Sequence, residues 1–274
     1  MMSNNFNMKN LLVPTDFSEY SNAALEYAIY IAKIRKSTIH ILSIVLSNHN
    51  GEFEKAEAKL SALKKDPKLA GITVETYVKL DGVICDKILE CAEEVKADLI
   101  LMGSHGSSTI AEILLGSNTE KVVRKSNFNV MTIKHSMIKE EIKTIAFASD
   151  FSRESNQIFG TIRDIADKFN ANIHLLKINT PTHFEPTRVS MEKINKFIKN
   201  EKLSPLNGDK FKIALYSDST EELGVLNYCI ENEIDIIALG IHNKTSMWKL
   251  LHESTSQNLV SHSFRPVLTI PIPE

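Results

Sequence analysis

The sequence predicts an α/β protein built from two tandem copies of one domain, each a parallel β-sheet flanked by helices. Two observations support this fold class. Within each copy, short β-like apolar runs alternate with longer segments of helical period, as in successive βαβ units. In addition, segments recur at an offset of 134 residues. The recurring pairs are Asp16-Phe-Ser-Glu-Tyr-Ser-Asn22 with Asp150-Phe-Ser-Arg-Glu-Ser-Asn156, and Ser37-Thr-Ile-His-Ile-Leu42 with Ala171-Asn-Ile-His-Leu-Leu176.

Five strands are predicted in the first copy, at Asn10–Pro14, Thr38–Leu46, Thr73–Leu80, Asp98–Gly103 and Asn129–Lys134. Between Ser18 and Lys36, small and apolar residues recur every three or four positions, which predicts an amphipathic helix with a small-residue face against the sheet. These residues are Ala23, Ala24, Tyr27, Ala28, Ile31 and Ala32. A similar run, Ile84, Ile88, Leu89, Cys91, Ala92 and Val95, predicts a helix before the fourth strand.

The second copy follows the same plan, with strands near Thr144–Ser149, Asn172–Ile178, Lys210–Tyr216, Asp235–Gly240 and Pro266–Ile270. The run Ser219-Thr-Glu-Glu222 has the pattern of a capping box, so we expect Ser219 to cap a helix that extends to Asn232. A short polar stretch at about His135 to Glu141 separates the copies. The expected domains are therefore 1–137 and 138–274.

Length, hydrophobic content and charge favour a globular two-domain protein and argue against a nucleic-acid or membrane partner. A chain of 274 residues suits about two domains, and 43% hydrophobic residues supply two cores. The 32 basic and 34 acidic residues leave a formal charge of −2, which gives no field for nucleic acid or anionic lipid. No apolar run approaches the roughly 18 residues of a membrane span. We therefore expect a cytoplasmic protein, with no nucleic-acid partner, no membrane and reduced cysteines packed in helices.

A glycine-rich frame follows the fourth predicted strand. Gly103, Gly106, Gly116 and Ser117 form the spacing Gly-x2-Gly-x9-Gly-Ser. Glycines let backbone N–H groups approach an anion without an intervening Cβ, and a helix N-terminus attracts negative charge. Ligands of open parallel sheets bind beyond the carboxyl ends of the strands, where the strand order reverses. If the first and fourth strands are neighbours, Pro14-Thr15-Asp16 faces the same crevice.

The second copy keeps only part of this frame. Gly240 and Ser254 survive, whereas Gly106 and Gly116 are replaced by Asn243 and Glu253. A carboxylate at 253 repels phosphates, and side chains at both positions obstruct close approach. We therefore expect one working site, in the first domain.

The chain resembles a tandem universal stress protein. The resemblance rests on Val13-Pro-Thr-Asp-Phe-Ser18, Leu101-Met-Gly-Ser-His-Gly106, Leu114-Leu-Gly-Ser117 and Glu120-Lys-Val-Val-Arg124, and it extends over Lys9 to Ile272. It implies two doubly wound domains, each a five-stranded parallel sheet in the order 3-2-1-4-5 flanked by helices. That order puts the first and fourth strands side by side.

The resemblance also implies a nucleotide site and its cofactor, ATP with Mg²⁺ as a candidate ion. Adenosine would lie against Pro14, Thr15, Asp16 and Ile44. The phosphate loop would be lined by Met102, Gly103, His105 and Gly106, with donors at Gly116, Ser117, Asn118 and Thr119. The sequence departs from many members at Ser107, where they carry a basic residue. Because Ser104 to Leu115 contains no Lys or Arg, charge compensation would fall on backbone N–H groups, a divalent ion, and Lys121 or Arg124.

Several of the candidate site residues also have a purely structural interpretation. Ser117 three residues before Glu120 also fits a plain helix cap, and Asp16 and Asp150 could each serve the helix that follows. His105 could be an exposed loop residue, and His40 and His174 are expected to be satisfied core or edge histidines. Nucleophile-elbow, zinc-protease and Walker frames are absent from the sequence, so no catalytic residue and no metal site are predicted. Slow hydrolysis of ATP is left open.

The resulting hypothesis is a cytoplasmic stress-response module that binds ATP or AMP in the first domain and thereby biases its contacts with an unknown protein partner. The resemblance implies pairing of the fifth strands, Val130–Lys134 and Val267–Ile270, inside one chain, and leaves open a homodimer of whole chains. The alternative is a nucleotide-free interaction or chaperone-like protein with relic sites in both domains. A third possibility is an enzyme that cleaves ATP at the α-phosphate. Such an enzyme is expected to have a Ser-Gly-Gly loop after its first strand, whereas this chain has Pro14-Thr15-Asp16 there.

Overall fold

A computed structural model describes residues 6, 8–48, 51–104, 117–134, 141–241, 259 and 263–273 of the chain. Two compact units are present. One is Asn7–Ile138, here called the N-terminal domain, and the other is Lys139–Glu274 with Met1–Phe6, here called the C-terminal domain. Phe6 belongs to the latter through its backbone, whose N–H donates to Asp164 Oδ2 at 2.8 Å and whose carbonyl accepts from Lys168.

The N-terminal domain is an open parallel sheet. Its elements are β1 (Asn10–Pro14), α1 (Glu19–Arg35), β2 (Thr38–Val45), α2 (Glu52–Lys64), β3 (Val74–Leu80), α3 (Ile84–Glu94), β4 (Leu99–Gly103), α4 (Ser117–Lys125) and β5 (Asn129–Ile133). Four parallel pairings give the order β3-β2-β1-β4-β5, so the predicted order is confirmed. The order reverses at β1, which has β2 on one side and β4 on the other.

The C-terminal domain repeats this arrangement. Its elements are β6 (Thr144–Ala148), α5 (Ser155–Phe169), β7 (Asn172–Asn179), α6 (Thr187–Asn200), β8 (Phe211–Ser217), α7 (Glu221–Glu231), β9 (Ile236–Ile241) and β10 (Val267–Pro271). Parallel pairings give β8-β7-β6-β9-β10, the same order as in the first domain. In the part of the chain that the structure describes, none of the helices has the length and apolar character that crossing a membrane requires.

Helix α1 shows how local sequence sets the fold. Ser18 caps it, accepting the Ser21 N–H at 3.2 Å, and Lys36 ends it in the left-handed conformation at φ 56°. The small-residue face is buried as predicted, and it contacts β1, β2, β4 and β5. Because alanines allow close approach, α1 lies directly over β1 and β4, the neighbouring strands at the strand-order reversal.

The two cores differ in chemistry. The N-terminal core is aliphatic around Leu11, Leu12 and Ile39, all fully buried. The C-terminal core instead contains a cluster of aromatic rings. Phe159 packs edge-to-face on Phe197 at 4.9 Å between centroids, and Phe151 packs on Phe197 at 5.2 Å. Such pairs contribute about 0.5–1.5 kcal/mol each beyond their burial.

The predicted cap of α7 is wrong by one residue. Thr220, not Ser219, is the N-cap, and its hydroxyl accepts the Leu223 N–H at 3.1 Å. Ser219 is engaged elsewhere, because its N–H and hydroxyl both donate to Asp218 Oδ1, at 2.6 and 3.2 Å. The neighbouring carboxylate therefore competes for Ser219, and the cap passes to Thr220.

Equivalent aspartates fix the amino ends of the first strands. In the N-terminal domain, Asp98 Oδ2 accepts the N–H groups of Lys9 and Asn10 at 2.6 and 2.9 Å. In the C-terminal domain, Asp235 Oδ2 accepts the Lys143 N–H at 2.8 Å and the Thr144 N–H and hydroxyl, both at 3.0 Å. Each carboxylate thus joins the start of the fourth strand to the start of the first.

The cysteines are free and buried, and they lie in helices as predicted. Burial raises the pKa of Cys91 to about 11 and that of Cys229 to about 12, and it also raises the pKa of Cys85. The thiols are therefore protonated at neutral pH, which makes them poor nucleophiles.

Candidate functional site

The strand tips that the sequence places in one crevice are neighbours in the N-terminal domain. β1 and β4 pair in parallel, with Leu12 opposite Ile100. Continuing this register by two residues brings Pro14 level with Met102. Both strands therefore end at the same edge of the sheet, at the position where the order reverses and where ligands of this fold class bind.

Thr15 holds the turn after β1 in place. It is buried, and its N–H donates to the Leu42 carbonyl at 2.7 Å. Its hydroxyl oxygen accepts the Phe17 N–H at 3.0 Å and lies 3.1 Å from Ser21 Oγ. These bonds hold Phe17 at φ 62°, a conformation that is uncommon for residues other than glycine. A turn so constrained presents Asp16 in a fixed position.

Asp16 is exposed at this turn. Its Oδ1 accepts the Ser18 N–H at 3.0 Å, which is an Asx-type bond within the loop. The cap of α1 is Ser18 itself, so the carboxylate shapes the turn and does not cap the first helical N–H groups. The position is compatible with a further hydrogen bond from a ligand hydroxyl.

Gly103 has a packing role that the sequence did not reveal. A Cβ at this position would lie 2.6 Å from the Tyr20 carbonyl carbon and 2.7 Å from its oxygen. The glycine therefore allows the first turn of α1 to contact the end of β4. The buried Thr119 hydroxyl donates to the Gly103 carbonyl at 2.8 Å, which ties α4 to the same point. The Thr119 hydroxyl has a single proton, and it donates that proton to Gly103. A hydrogen bond from Thr119 to a phosphate would therefore have to come from its backbone N–H group.

The remaining predicted site residues fall into two groups. Within the described residues, Met102 is buried, Ile44 and Asn118 are half-buried, and Ser117 is exposed at the first described turn of α4. His105, Gly106 and Gly116, together with Asn243 and Glu253 of the second copy, lie outside the described residues. Of the two basic candidates, Arg124 lies 4.0 Å from Glu120 and Lys121 is exposed.

The two histidines in the strands, His40 and His174, are buried and hydrogen-bonded, as predicted. His40 bonds to the Tyr77 hydroxyl at 3.1 Å through Nδ1, and its Nε2 lies 3.3 Å from Asn10 Oδ1. His174 bonds to the Tyr228 hydroxyl at 2.9 Å. Burial lowers the pKa of both imidazoles. Among the residues described, no three His, Cys, Asp or Glu side chains converge as metal ligands would.

The C-terminal domain contains the same turn. Ser149 Oγ lies 2.7 Å from Ser155 Oγ, Asp150 Oδ1 accepts the Ser152 N–H at 2.9 Å, and Phe151 has φ 56°. The surroundings of Asp150 are more enclosed, and burial raises the pKa of its carboxyl against the opposing Ser152 hydrogen bonds and nearby lysines.

One charged residue near the turn after β6, Lys177, was not among the residues predicted from the sequence. Lys177 is only 9% exposed near the end of β7, and it pairs with Glu185 at 3.5 Å. The residue 134 positions earlier is Ser43, so a comparison of the two copies could have found it.

The fold defines a class, that of tandem doubly wound α/β proteins in which the first and fourth strands of each domain are neighbours at the strand-order reversal. The sequence matches the universal stress protein family over residues 7–134 and again over 141–271, and the chain belongs to that family.

Individual relatives cover one or both domains. A universal stress protein of Methanocaldococcus jannaschii is 30% identical over 46% of this chain and 94% of its own length. One of Synechocystis sp. is 23% identical over 96% of this chain and 99% of its own. The crystal structure of a universal stress protein from Archaeoglobus fulgidus superposes with a TM-score of 0.77 at 21% identity, over 97% of this chain and 99% of that one. These likenesses support the two-domain fold over nearly the full chain.

Proposed function

We propose that this protein is a nucleotide-responsive stress-response module that binds ATP or AMP in its N-terminal domain. Occupancy of that site would bias contacts with a protein partner, while the C-terminal domain would serve as a built-in pseudo-subunit. Pairing of β5 with β10 inside the chain, and dimerisation of whole chains, belong to the same proposal and stay predictions.

The observation that carries the proposal is the adjacency of the β1 and β4 tips at the strand-order reversal. The exposed Asp16 follows β1 and Gly103 ends β4, so both residues lie at the edge of the sheet where the proposed site would be. Together with the frame from Gly103 to Ser117, this arrangement supports a carboxylate for the ribose hydroxyls and N–H donors for the phosphates. Mg²⁺ would supply compensating charge, because Ser104 to Leu115 contains no basic residue.

Calorimetric titration with Mg²⁺-ATP tests the site. The expected result is about one ATP per chain, abolished by Gly116→Glu, which copies the Glu253 of the second domain. Asp16→Asn keeps an acceptor for the Ser18 N–H but removes the charge, so we expect it to weaken ATP binding by roughly tenfold, the value of one charge-assisted hydrogen bond.

The repeat supplies a matched control. Asp150→Asn makes the same change in the C-terminal domain and is expected to leave ATP affinity unchanged. Two ATP molecules per chain, or equal losses in the Asp16 and Asp150 variants, would contradict the assignment to the N-terminal domain. No detectable binding at millimolar nucleotide would favour the nucleotide-free alternative, which the missing basic residue at Ser107 supports.

A further inference from the structure

A cleft of about 450 Å³ opens in the C-terminal domain between the turn after β6 and helix α6. We call it the α6 cleft. Its polar lining includes Asp150, Arg153, Lys193 and Lys196, and its apolar lining is formed by Phe151 and Phe197. The volume lies within the range of small-molecule sites, and the mixture of an apolar wall with a few charged groups is typical of them.

One of the two lysines that line the α6 cleft, Lys193, already has an acidic partner. Glu185 forms ion pairs with Lys193 and, at 3.5 Å, with Lys177. It also accepts a hydrogen bond from the Ser190 hydroxyl at 2.9 Å. Burial alone would raise the pKa of Glu185, but these hydrogen bonds and charges outweigh it and lower the pKa. Glu185 and Lys177 are not lining residues themselves, and Lys193 is the lining lysine whose charge Glu185 already neutralises.

The outer side carries two further positive charges. Arg153 and Lys196 are exposed, and in the described part of the chain neither side chain has a hydrogen bond or ion pair. Asn156, which also lines the cleft, donates its amide to Glu201. Among the charged side chains of the lining, Arg153 and Lys196 therefore have no ion-pair partner, and they lie next to two phenylalanines. Two carboxylates outside the lining, those of Glu154 and Glu201, bond to the lining residues Ser152 and Asn156.

These charges are specific to the C-terminal copy. Buried positions of α6 and α2 correspond at the offset of 134, since Ser190 and Ile194 match Ala56 and Leu60. In that register the N-terminal domain has no cation where the C-terminal domain has Arg153, Lys177 and Lys196. The corresponding residues are Glu19, Ser43 and Ala62.

The one shared lysine is also placed differently. Lys59, the counterpart of Lys193, lies over the ring of Phe17 at 4.9 Å from its centroid. In the C-terminal domain the matching lysine pairs with Glu185 instead. Phe151 lines the cleft together with Arg153 and Lys196.

We propose that the α6 cleft is a second ligand site, for a small phosphate monoester. A phosphate monoester carries about −1.5 to −2 charges at pH 7, which matches the two unpaired cations. Arginine binds phosphate oxygens through two parallel hydrogen bonds, and the Asp150 carboxylate can accept from a ligand hydroxyl. This site takes no part in the nucleotide crevice of the N-terminal domain, and the inference does not rest on the function proposed for that crevice.

Titration of the full chain with ribose 5-phosphate at low salt tests the site. We expect saturable binding that Arg153→Glu weakens at least tenfold and Lys196→Ala weakens several-fold. Both variants copy the residues of the N-terminal domain. Lys199→Ala removes an exposed lysine from the same helix but outside the cleft, and it is expected to leave affinity unchanged.

Several outcomes would overturn the proposal. They are no binding at millimolar ribose 5-phosphate, equal losses in the Lys196 and Lys199 variants, and loss of binding in Gly116→Glu, which would assign the ligand to the other domain. Equally tight binding of succinate would contradict the phosphate class. If circular dichroism shows that Arg153→Glu does not fold, Lys196→Ala on the exposed face of α6 decides the question.

Discussion

Gly103→Ala is expected to lower the free energy of unfolding by about 3 kcal/mol. The added methyl would lie 2.6 Å from the carbonyl carbon of Tyr20, well inside van der Waals contact. Because the obstructing atoms are backbone and not the end of a flexible side chain, β4 and the start of α1 must separate. Urea denaturation followed by circular dichroism measures the loss, and calorimetry should show weaker ATP binding in the same variant.

Gly160→Ala is the matched control for this effect. Gly160 lies within α5, and a Cβ there meets no heavy atom within 4 Å. Since alanine favours helix over glycine, we expect this variant to be more stable by about 0.5–1 kcal/mol. Wild-type stability in Gly103→Ala would show that α1 tolerates displacement, and the packing role assigned to Gly103 would then be wrong.

Asp235→Ala is expected to destabilise the C-terminal domain by about 3 kcal/mol, because it removes the acceptor of three donors. Asp235 is only 8% exposed, so water cannot readily replace the carboxylate. The lost bonds would leave the Lys143 and Thr144 N–H groups without their acceptor at the start of β6. Hydrogen exchange of these amides, together with urea denaturation, measures the effect.

Asp98→Ala makes the corresponding change in the N-terminal domain. Asp98 is half-buried and accepts two N–H groups, so the expected loss is smaller, about 2 kcal/mol. The two variants should therefore affect different domains and differ in size. If Asp98→Ala were the more damaging, burial and the number of donors would not be what determines the contribution of these carboxylates.

Much of this architecture follows from patterns that the sequence carries locally. The strands are apolar runs bounded by polar residues, and their observed ends lie within two residues of the predicted ones. Helix α1 was predictable because its alanine face repeats with helical period. The strand order was available through the family resemblance, and the pairing of β1 with β4 confirms it.

Other features depend on distances that the sequence does not contain. The constraint on Gly103 comes from Tyr20, a residue of another element. The cap of α7 was misplaced because the Asp218 carboxylate engages Ser219, a competition decided by local geometry. The α6 cleft draws its charges from a turn and from a helix about 40 residues further on. Its sequence signals, Arg153 in place of Glu19 and Lys196 in place of Ala62, become informative only when the two copies are compared.

The left-handed phenylalanines at 17 and 151 show that both domains kept one uncommon backbone path while their side chains diverged. The side chains around this turn thus differ between the domains, while its backbone conformation is the same. Chimeric chains, in which positions 134 residues apart exchange identities, should therefore retain this turn, because its backbone conformation is common to both halves.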